Sequence, residues 1–270
     1  MKTIVNFLFN FIMSILVFVL ICMNFTFSTL LNKTYIKTKL TENRFYERAY
    51  ADIKERFENY TMQSGLELDI LEGLVTKEKV KKDINQKIDA IYDKKKVTIE
   101  TDSIRNELDA RINAVLEKNN KTPNKSEKES IQKYEDAIVE SYQLEILYGR
   151  NFSIPQEIFQ RVRTVCIIGI VVISILLLFI NKSISKYMAL LGITGVFSGT
   201  LCIVVKCLLE KRMIHILVMD AKFSNFLVNT LTDMLLRFYH MGISIMAVSF
   251  LLIVIGSLEN FKKTIENKKN

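Results

Sequence analysis

The sequence predicts an all-α protein, a four-helix transmembrane bundle with a helical extracytoplasmic domain inserted between spans 1 and 2. Three observations carry that prediction. Residues 3–32, 164–181, 187–205 and 238–258 form four stretches without Asp, Glu, Lys or Arg, each at or near the ~20 residues a helix needs to cross a bilayer. Charge is segregated: residues 32–163 hold 25 Lys/Arg and 24 Asp/Glu, whereas the rest of the chain holds 12 and 5. Between the first two spans, apolar residues recur at three and four, the spacing of one helix face.

Residues 1–31 read as a transmembrane anchor. The uncharged run is longer than the ~7–15 residues of a signal-peptide core, and no small-x-small cleavage site follows it. Cys22 is preceded by Ile21 rather than by a small residue, which argues against lipid attachment. Asn6 and Asn10 lie one turn apart, placed to hydrogen-bond a neighbouring helix.

Residues 32–163 form the extracytoplasmic domain. A helix over 41–64 presents Tyr46, Ala49, Tyr50, Ile53, Phe57 and Tyr60 on one face and stops at Gly65. A short apolar piece, 66–75, holds a turn or two of helix. The next helix opens after Thr76 with Val80, Ile84, Ile88 and Ile91 on its face, and another opens near Asp102 or Ser103 with Ile104, Leu108, Ile112 and Leu116. Between them, 97–99 is the one plausible extended piece. After a polar loop, Ser126 with Glu129 forms a capping box for a helix that shows Ile131, Tyr134, Ile138 and Tyr142 and ends at Gly149. Ser153 with Gln156, and Pro155 in the first turn, start a helix over 154–180 that runs into the second span as one rod, roughly 40 Å long.

Residues 164–258 hold three further spans, with an outer amphipathic helix near 213–237, and 259–270 form a basic tail. In the third span Gly192, Gly195 and Gly199 line one side, a pattern that permits close helix approach within the bundle or between protomers. Where the amphipathic helix meets the fourth span, Asp233, Arg237 and His240 share a face. Ionisable groups at membrane depth are costly and often functional, so this trio is a candidate polar cluster: either a proton or ion relay, or an interfacial ion pair with a wet histidine beside it.

Lysines set the orientation. Lys2, Lys182, Lys186 and the tail residues Lys262, Lys263, Lys268 and Lys269 lie on one side of a four-span arrangement, and an excess of Lys and Arg marks the cytoplasmic side. Both termini are therefore expected in the cytoplasm of a multi-pass cell-membrane protein. Lys206, Lys211 and Arg212 fall on the opposite side and weaken the asymmetry, with Glu210 and Asp220 nearby.

Several function classes are disfavoured. Of the net charge of +8, +7 belongs to the spans and their flanks, so no basic patch on the soluble part predicts nucleic-acid binding. The four cysteines, Cys22, Cys166, Cys202 and Cys207, all lie in or beside spans, without metal-ligand spacing, which leaves the extracytoplasmic domain no disulfide. No phosphate-binding loop, nucleophile elbow, HExxH or dinucleotide motif occurs, and both histidines lie outside 32–163, so no catalytic, cofactor-binding or metal residues are assigned.

The run Tyr46, Tyr50, Ile53, Phe57, Tyr60, then QSGL at 63–66 and VTKEKVKKDIN at 75–85, resembles four-span membrane proteins of low-GC Gram-positive bacteria that carry no assigned function. That resemblance implies a bacterial cell-surface setting and transfers no site residues. The span layout also resembles permeases that pair with an ATPase and carry a large external domain after span 1, although the loop at 181–186 offers little cytoplasmic surface for such a partner. The expectation is a non-enzymatic binding, sensing or assembly protein whose partners are the lipid bilayer and another protein or a second copy. The alternative is a pore or transporter component, including a permease-like subunit partnered by an ATPase.

Overall fold

The computed structural model describes residues 2–96, 99–147, 156–213 and 221–269, and the side chains of 2–96, 99–143, 156–211 and 226–259. Among the described residues there are helices and turns and no strand. The chain divides into two units. One is built from Met1–Asn32, Pro155–Met219 and Leu227–Asn270, the other from Lys33–Ile154 with Asp220–Phe226.

The first unit contains α1 (Lys2–Ser28), α7 (Gln156–Asn181), α8 (Ile184–Met213) and most of α9 (Ala221–Lys269). Each is long and apolar enough to cross a membrane, which makes this a multi-pass membrane protein by length and composition. Only between 17% and 33% of each apolar window is buried within the protein. The remaining apolar surface faces outward, and a lipid tail is the surrounding that accommodates it. Inside, Met13, Ile173 and Leu177 form one apolar cluster and Ile21, Cys202 and Phe238 another.

The fourth span departs from expectation. The amphipathic segment, the apolar span and the tail through Lys269 are one 49-residue helix, about 74 Å long. Residues 214–220, where the amphipathic helix is expected to begin, lie outside the described residues. The physical reason for the continuity is that 221–269 contains no proline, and both its interior glycines are packed against α8. A Cβ on Gly242 would meet Cys202, and one on Gly256 would meet the carbonyl of Ser185. The expected rod is seen from Gln156 to Asn181, whereas Ser153, Ile154 and Pro155 of its capping signature lie outside the described residues.

The second unit is a packed set of helices: α2 (Lys33–Glu42), α3 (Phe45–Ser64), a 3-10 turn (Leu68–Leu71), α4 (Lys77–Asp93), α5 (Asp102–Lys118) and α6 (Lys125–Leu147). Two boundaries differ from the expected ones. The helix expected over 41–64 is broken at Arg44, which takes the left-handed conformation at φ 52°, so a separate α2 precedes it. Asn43 closes α2 by donating from its side-chain amide to the Lys39 carbonyl at 2.9 Å. The capping box of α6 is Asn124 with Glu127 rather than Ser126 with Glu129: Asn124 Oδ1 accepts from the Glu127 N–H and Glu127 Oε2 from the Asn124 N–H, both at 2.9 Å. Thr76 caps α4 and Gly65 ends α3 at φ 74°, a conformation glycine adopts without strain.

The core of this unit is the set of faces read from the periodicity. Tyr46, Ala49, Ile53 and Phe57 of α3, Val80 and Ile84 of α4, Ile104, Leu108 and Ile112 of α5, and Tyr134, Ile138 and Tyr142 of α6 are all buried. Tyr50 and Ile131 are half-buried and Tyr60 is exposed. Of the expected extended piece, Val97 and Thr98 lie outside the described residues and Ile99 is buried without strand structure. The position of Gly149 is likewise outside them.

Candidate functional site

Asp233, Arg237 and His240 sit on successive turns of α9, as their spacing requires. Arg237 Nε donates to Asp233 Oδ2 at 3.0 Å, while His240 is exposed and rests edge-on to the Tyr239 ring, with centroids 5.7 Å apart. The same helix turns its Met234 and Phe238 inward. A shallow groove beside the trio is lined by Arg237, His240, Met241, Ser244 and Ile245, all from α9 itself. Asp233 and Arg237 thus form an ion pair on α9, with His240 exposed one turn on. Nearby, Lys206 is paired with Glu210 at 2.6 Å and lies 5.6 Å from the Tyr239 ring centroid.

The three glycines of α8 all face α9 of the same chain. A Cβ on Gly192 would come within 2.6 Å of the Ser249 carbonyl, one on Gly195 within 1.9 Å of Ser249 Oγ, and one on Gly199 within 2.7 Å of the Gly242 carbonyl. Backbone lies against backbone there, which no larger residue allows.

The deepest polar feature of the membrane unit is a seam that joins α1 to α7 and α8. Asn6 and Asn181 exchange side-chain hydrogen bonds at 2.9 and 3.2 Å, and Asn181 also donates to the Leu177 carbonyl at 2.8 Å. One turn on, Thr194 donates to Asn10 Oδ1. A turn further, Ser198 donates to the Ser14 carbonyl at 2.9 Å while Ser14 donates back to the Asn10 carbonyl at 2.8 Å. Asn10, Ser14, Asn181, Thr194 and Ser198 are all buried. The seam begins at the end that carries Lys2, Lys182 and Lys186 and stops midway along α1 and α8. Beyond Ser14 and Ser198 the interior is closed by Ile21, Cys202 and Phe238, with Phe25 and Phe18 against the Phe238 ring at 5.2 and 6.4 Å between centroids.

Sequence reasoning found Asn6 and Asn10 and missed their partners. A signal was present: Thr194 and Ser198 repeat the four-residue interval of Asn10 and Ser14, so two helices carry matching polar ladders. What the arrangement does chemically is hold helices together. Each ladder residue donates or accepts within the seam. Among the described residues no group of three or more His, Cys, Asp or Glu is arranged to hold a metal ion.

In the second unit the buried polar groups are of another kind. Tyr142 donates to Asp83 Oδ2 at 2.5 Å in the core, with Lys79 Nζ 3.4 Å from the same oxygen, and Tyr134 shares a 2.7 Å hydrogen bond with Thr61. Burial pushes the Tyr46 hydroxyl up to about 12, although it donates to Asn85 at 2.7 Å. Arg111 straps the 3-10 turn to α5 by donating to the carbonyls of Ile70 and Glu72 at 2.9 and 2.5 Å. One ionisable side chain was missed entirely. Glu135 is buried on α6 with its Oε1 unpartnered.

Compared with protein-family models, with curated proteins and with solved structures, the chain matches none.

Proposed function

We propose that this chain is a bacterial cell-membrane protein whose helical unit stands outside the cell and acts there by non-enzymatic binding, sensing or assembly, with both termini in the cytoplasm. The lysine distribution supports the orientation. The Asn6–Asn181 pair and the 2.5 Å hydrogen bond from Ser185 to Glu259 put the start of α1, the α7–α8 turn and the lower part of α9 at one end of the membrane unit. Lys2, Lys182 and Lys186 are exposed at that end, and the tail lysines follow Glu259 in the chain.

The observation that carries the functional reading is the seam. Its polar side chains are tied to one another and it ends against an apolar interior, which is how helices are joined rather than how a solute path is lined. The pore or transporter alternative has one feature in its favour, the presence of any polar seam at this depth. Against it stands the lack of polar continuity past Ser198.

Orientation is tested by placing cysteine at Lys121 or Lys125 in a cysteine-free background. Both sites should react with an impermeant thiol reagent on whole cells, and protection overturns the orientation. The functional reading is tested in proteoliposomes holding the full chain, where ion and small-solute flux should stay at the lipid background. Flux that rises with protein content, or an ATPase that co-purifies from native membranes, overturns it in favour of the alternative.

A further inference from the structure

Among the described residues of the helical unit, one buried carboxylate is left without a close counter-charge. Glu135 of α6 is 8% exposed, and its Oε1 reaches neither solvent nor a hydrogen-bond partner. The cation nearest to it is Arg105 of α5, whose Nη1 is 4.0 Å from Glu135 Oε2, the outer limit of an ion pair. Arg105 is committed elsewhere, donating through Nη2 to Asp136 Oδ1 at 2.6 Å. The other charged groups acting on Glu135 are both acidic, Asp109 of α5 and Asp136 of α6. The polar groups through which the remaining neighbours of α6 engage it are elsewhere: α3 contributes Thr61 to Tyr134, and α4 contributes Asp83 and Lys79 at Tyr142, two turns along the helix.

A buried anion with an orphan oxygen must be neutralised by a cation, a metal ion or a proton, because an isolated charge in a low-dielectric interior is costly. Arg105 shares its charge with Asp136 and reaches Glu135 only at 4.0 Å, too far to hydrogen-bond it, so it offsets the buried charge in part. Among the described residues no acidic group is arranged to hold a metal. A proton remains.

We propose that Glu135 is a proton-binding site that stabilises the packing of α5 against α6 in mildly acidic conditions and loosens it as the pH rises. The step is the formation of an O–H bond on the Glu135 carboxylate with a proton taken from water, which removes the charge. Burial displaces the carboxyl upward from its ordinary value of 4.5, Asp109 adds to the displacement, Arg105 opposes it, and Asp136 adds again. The sign follows. A folded-state value above the unfolded one contributes stability that is fully present below about 4.5 and is lost as pH rises through the folded value. Three other carboxylates of the unit work the opposite way. Glu47 and Asp89 are held low by hydrogen bonds from Lys77 and Lys37, and Glu127 by the Asn124 N–H, so their contributions are lost as pH falls. The site belongs to the helical unit alone and holds for either orientation of the membrane unit.

The test uses the full-length protein in detergent. The chain has no tryptophan, and every tyrosine except Tyr187 and Tyr239 falls between Tyr35 and Tyr148, so tyrosine fluorescence reports thermal unfolding of this unit. Parent and Glu135→Gln, the neutral isostere, are melted from pH 4 to pH 8. Their midpoints should coincide near pH 4, and the glutamine variant should melt higher at pH 8. Each pH unit by which the carboxyl's value is displaced corresponds to a tenfold change in the folded-to-unfolded ratio. A constant offset across the range, or a parent that is the more stable at pH 8, overturns the proposal. The exposed Asp109→Asn provides a second reading that does not disturb the core. It should raise the midpoint at pH 8 and leave it unchanged at pH 4, and an equal shift at both pH values, or none, overturns the proposal as well.

Discussion

In the membrane unit, bulky apolar side chains such as Phe7, Phe179, Phe197 and Phe250 face outward, whereas in α2–α6 Tyr46, Ile53, Ile104, Leu108 and Ile138 are fully enclosed. The buried polar groups differ in the same systematic way. The membrane unit encloses small neutral ones, Asn10, Ser14, Thr194 and Ser198, each satisfied by a neighbouring helix or its own preceding turn. The helical unit encloses neutral Thr61, Thr101 and Ser141 as well, but adds ionisable ones, Asp83, Glu135 and Tyr142. The solvent explains both. In lipid there is no hydrophobic gain in hiding a phenylalanine, so helices are joined by close backbone approach and hydrogen bonds. In water the hiding of apolar area is the strongest force favouring the folded chain, and it is large enough to carry a few charged groups inward.

The comparison is broken most forcefully by truncating an apolar residue in each unit. Ile138, fully buried in α6, cut to alanine should destabilise the helical unit by about 2–5 kcal/mol. The same truncation at Phe179, which is 73% exposed on α7, should leave the thermal midpoint of the detergent-solubilised protein within error of the parent. Tyrosine fluorescence melts measure the first, and the loss of resistance of the bundle to denaturing detergent on heating measures the second. Equal losses at the two sites would mean that the outward face of α7 is packed against something other than lipid or detergent.

The second test concerns the glycine face. Gly199→Leu forces a side chain where the Gly242 carbonyl already stands 2.7 Å from the first added carbon, and backbone cannot rotate away as a side-chain tip can. Overpacking of this kind costs roughly 1–3 kcal/mol, felt as lost resistance of the bundle to denaturing detergent. Gly65 offers the control. A Cβ there meets nothing within 4 Å, and only the positive φ is at stake.

How much of this was legible in the sequence follows from the same physics. The spans and the core faces of α3 to α6 were readable because each rests on a repeated pattern, and many residues vote for one period. Boundaries rest on single residues and were less readable. At Asn43–Arg44 the one hint of a stop is Asn43, a residue that also occurs inside helices, so the split between α2 and α3 is settled by the left-handed Arg44. Asn124 with Glu127 and Ser126 with Glu129 are equally good capping pairs by spacing, and the first turn of the folded helix chooses between them. The glycines of α8 announced close packing, while the helix that receives them, α9, is a tertiary fact. Glu135 carried no signal, because one Glu among many on an amphipathic helix looks solvated until its neighbours are placed.

The smallest expected effect is the most discriminating. Thr194→Val keeps the shape of the side chain and removes the hydroxyl that donates to Asn10 Oδ1, so any change reports the hydrogen bond rather than a cavity. In water-soluble cores, leaving a buried amide oxygen unsatisfied costs about 1–3 kcal/mol. In a membrane bundle the cost is closer to about 0.6 kcal/mol, because the separated helices also find partners for their polar groups. A double-mutant cycle of Thr194→Val with Asn10→Leu, followed by thermal inactivation of the bundle in detergent, isolates the pairwise energy. A coupling of about 0.6 kcal/mol fits a seam made of many weak ties, each dispensable alone. A coupling several times larger would make Asn10 and Thr194 a keystone of the bundle, and the difference between the two units would then lie in which polar groups are buried, not in how strongly they hold.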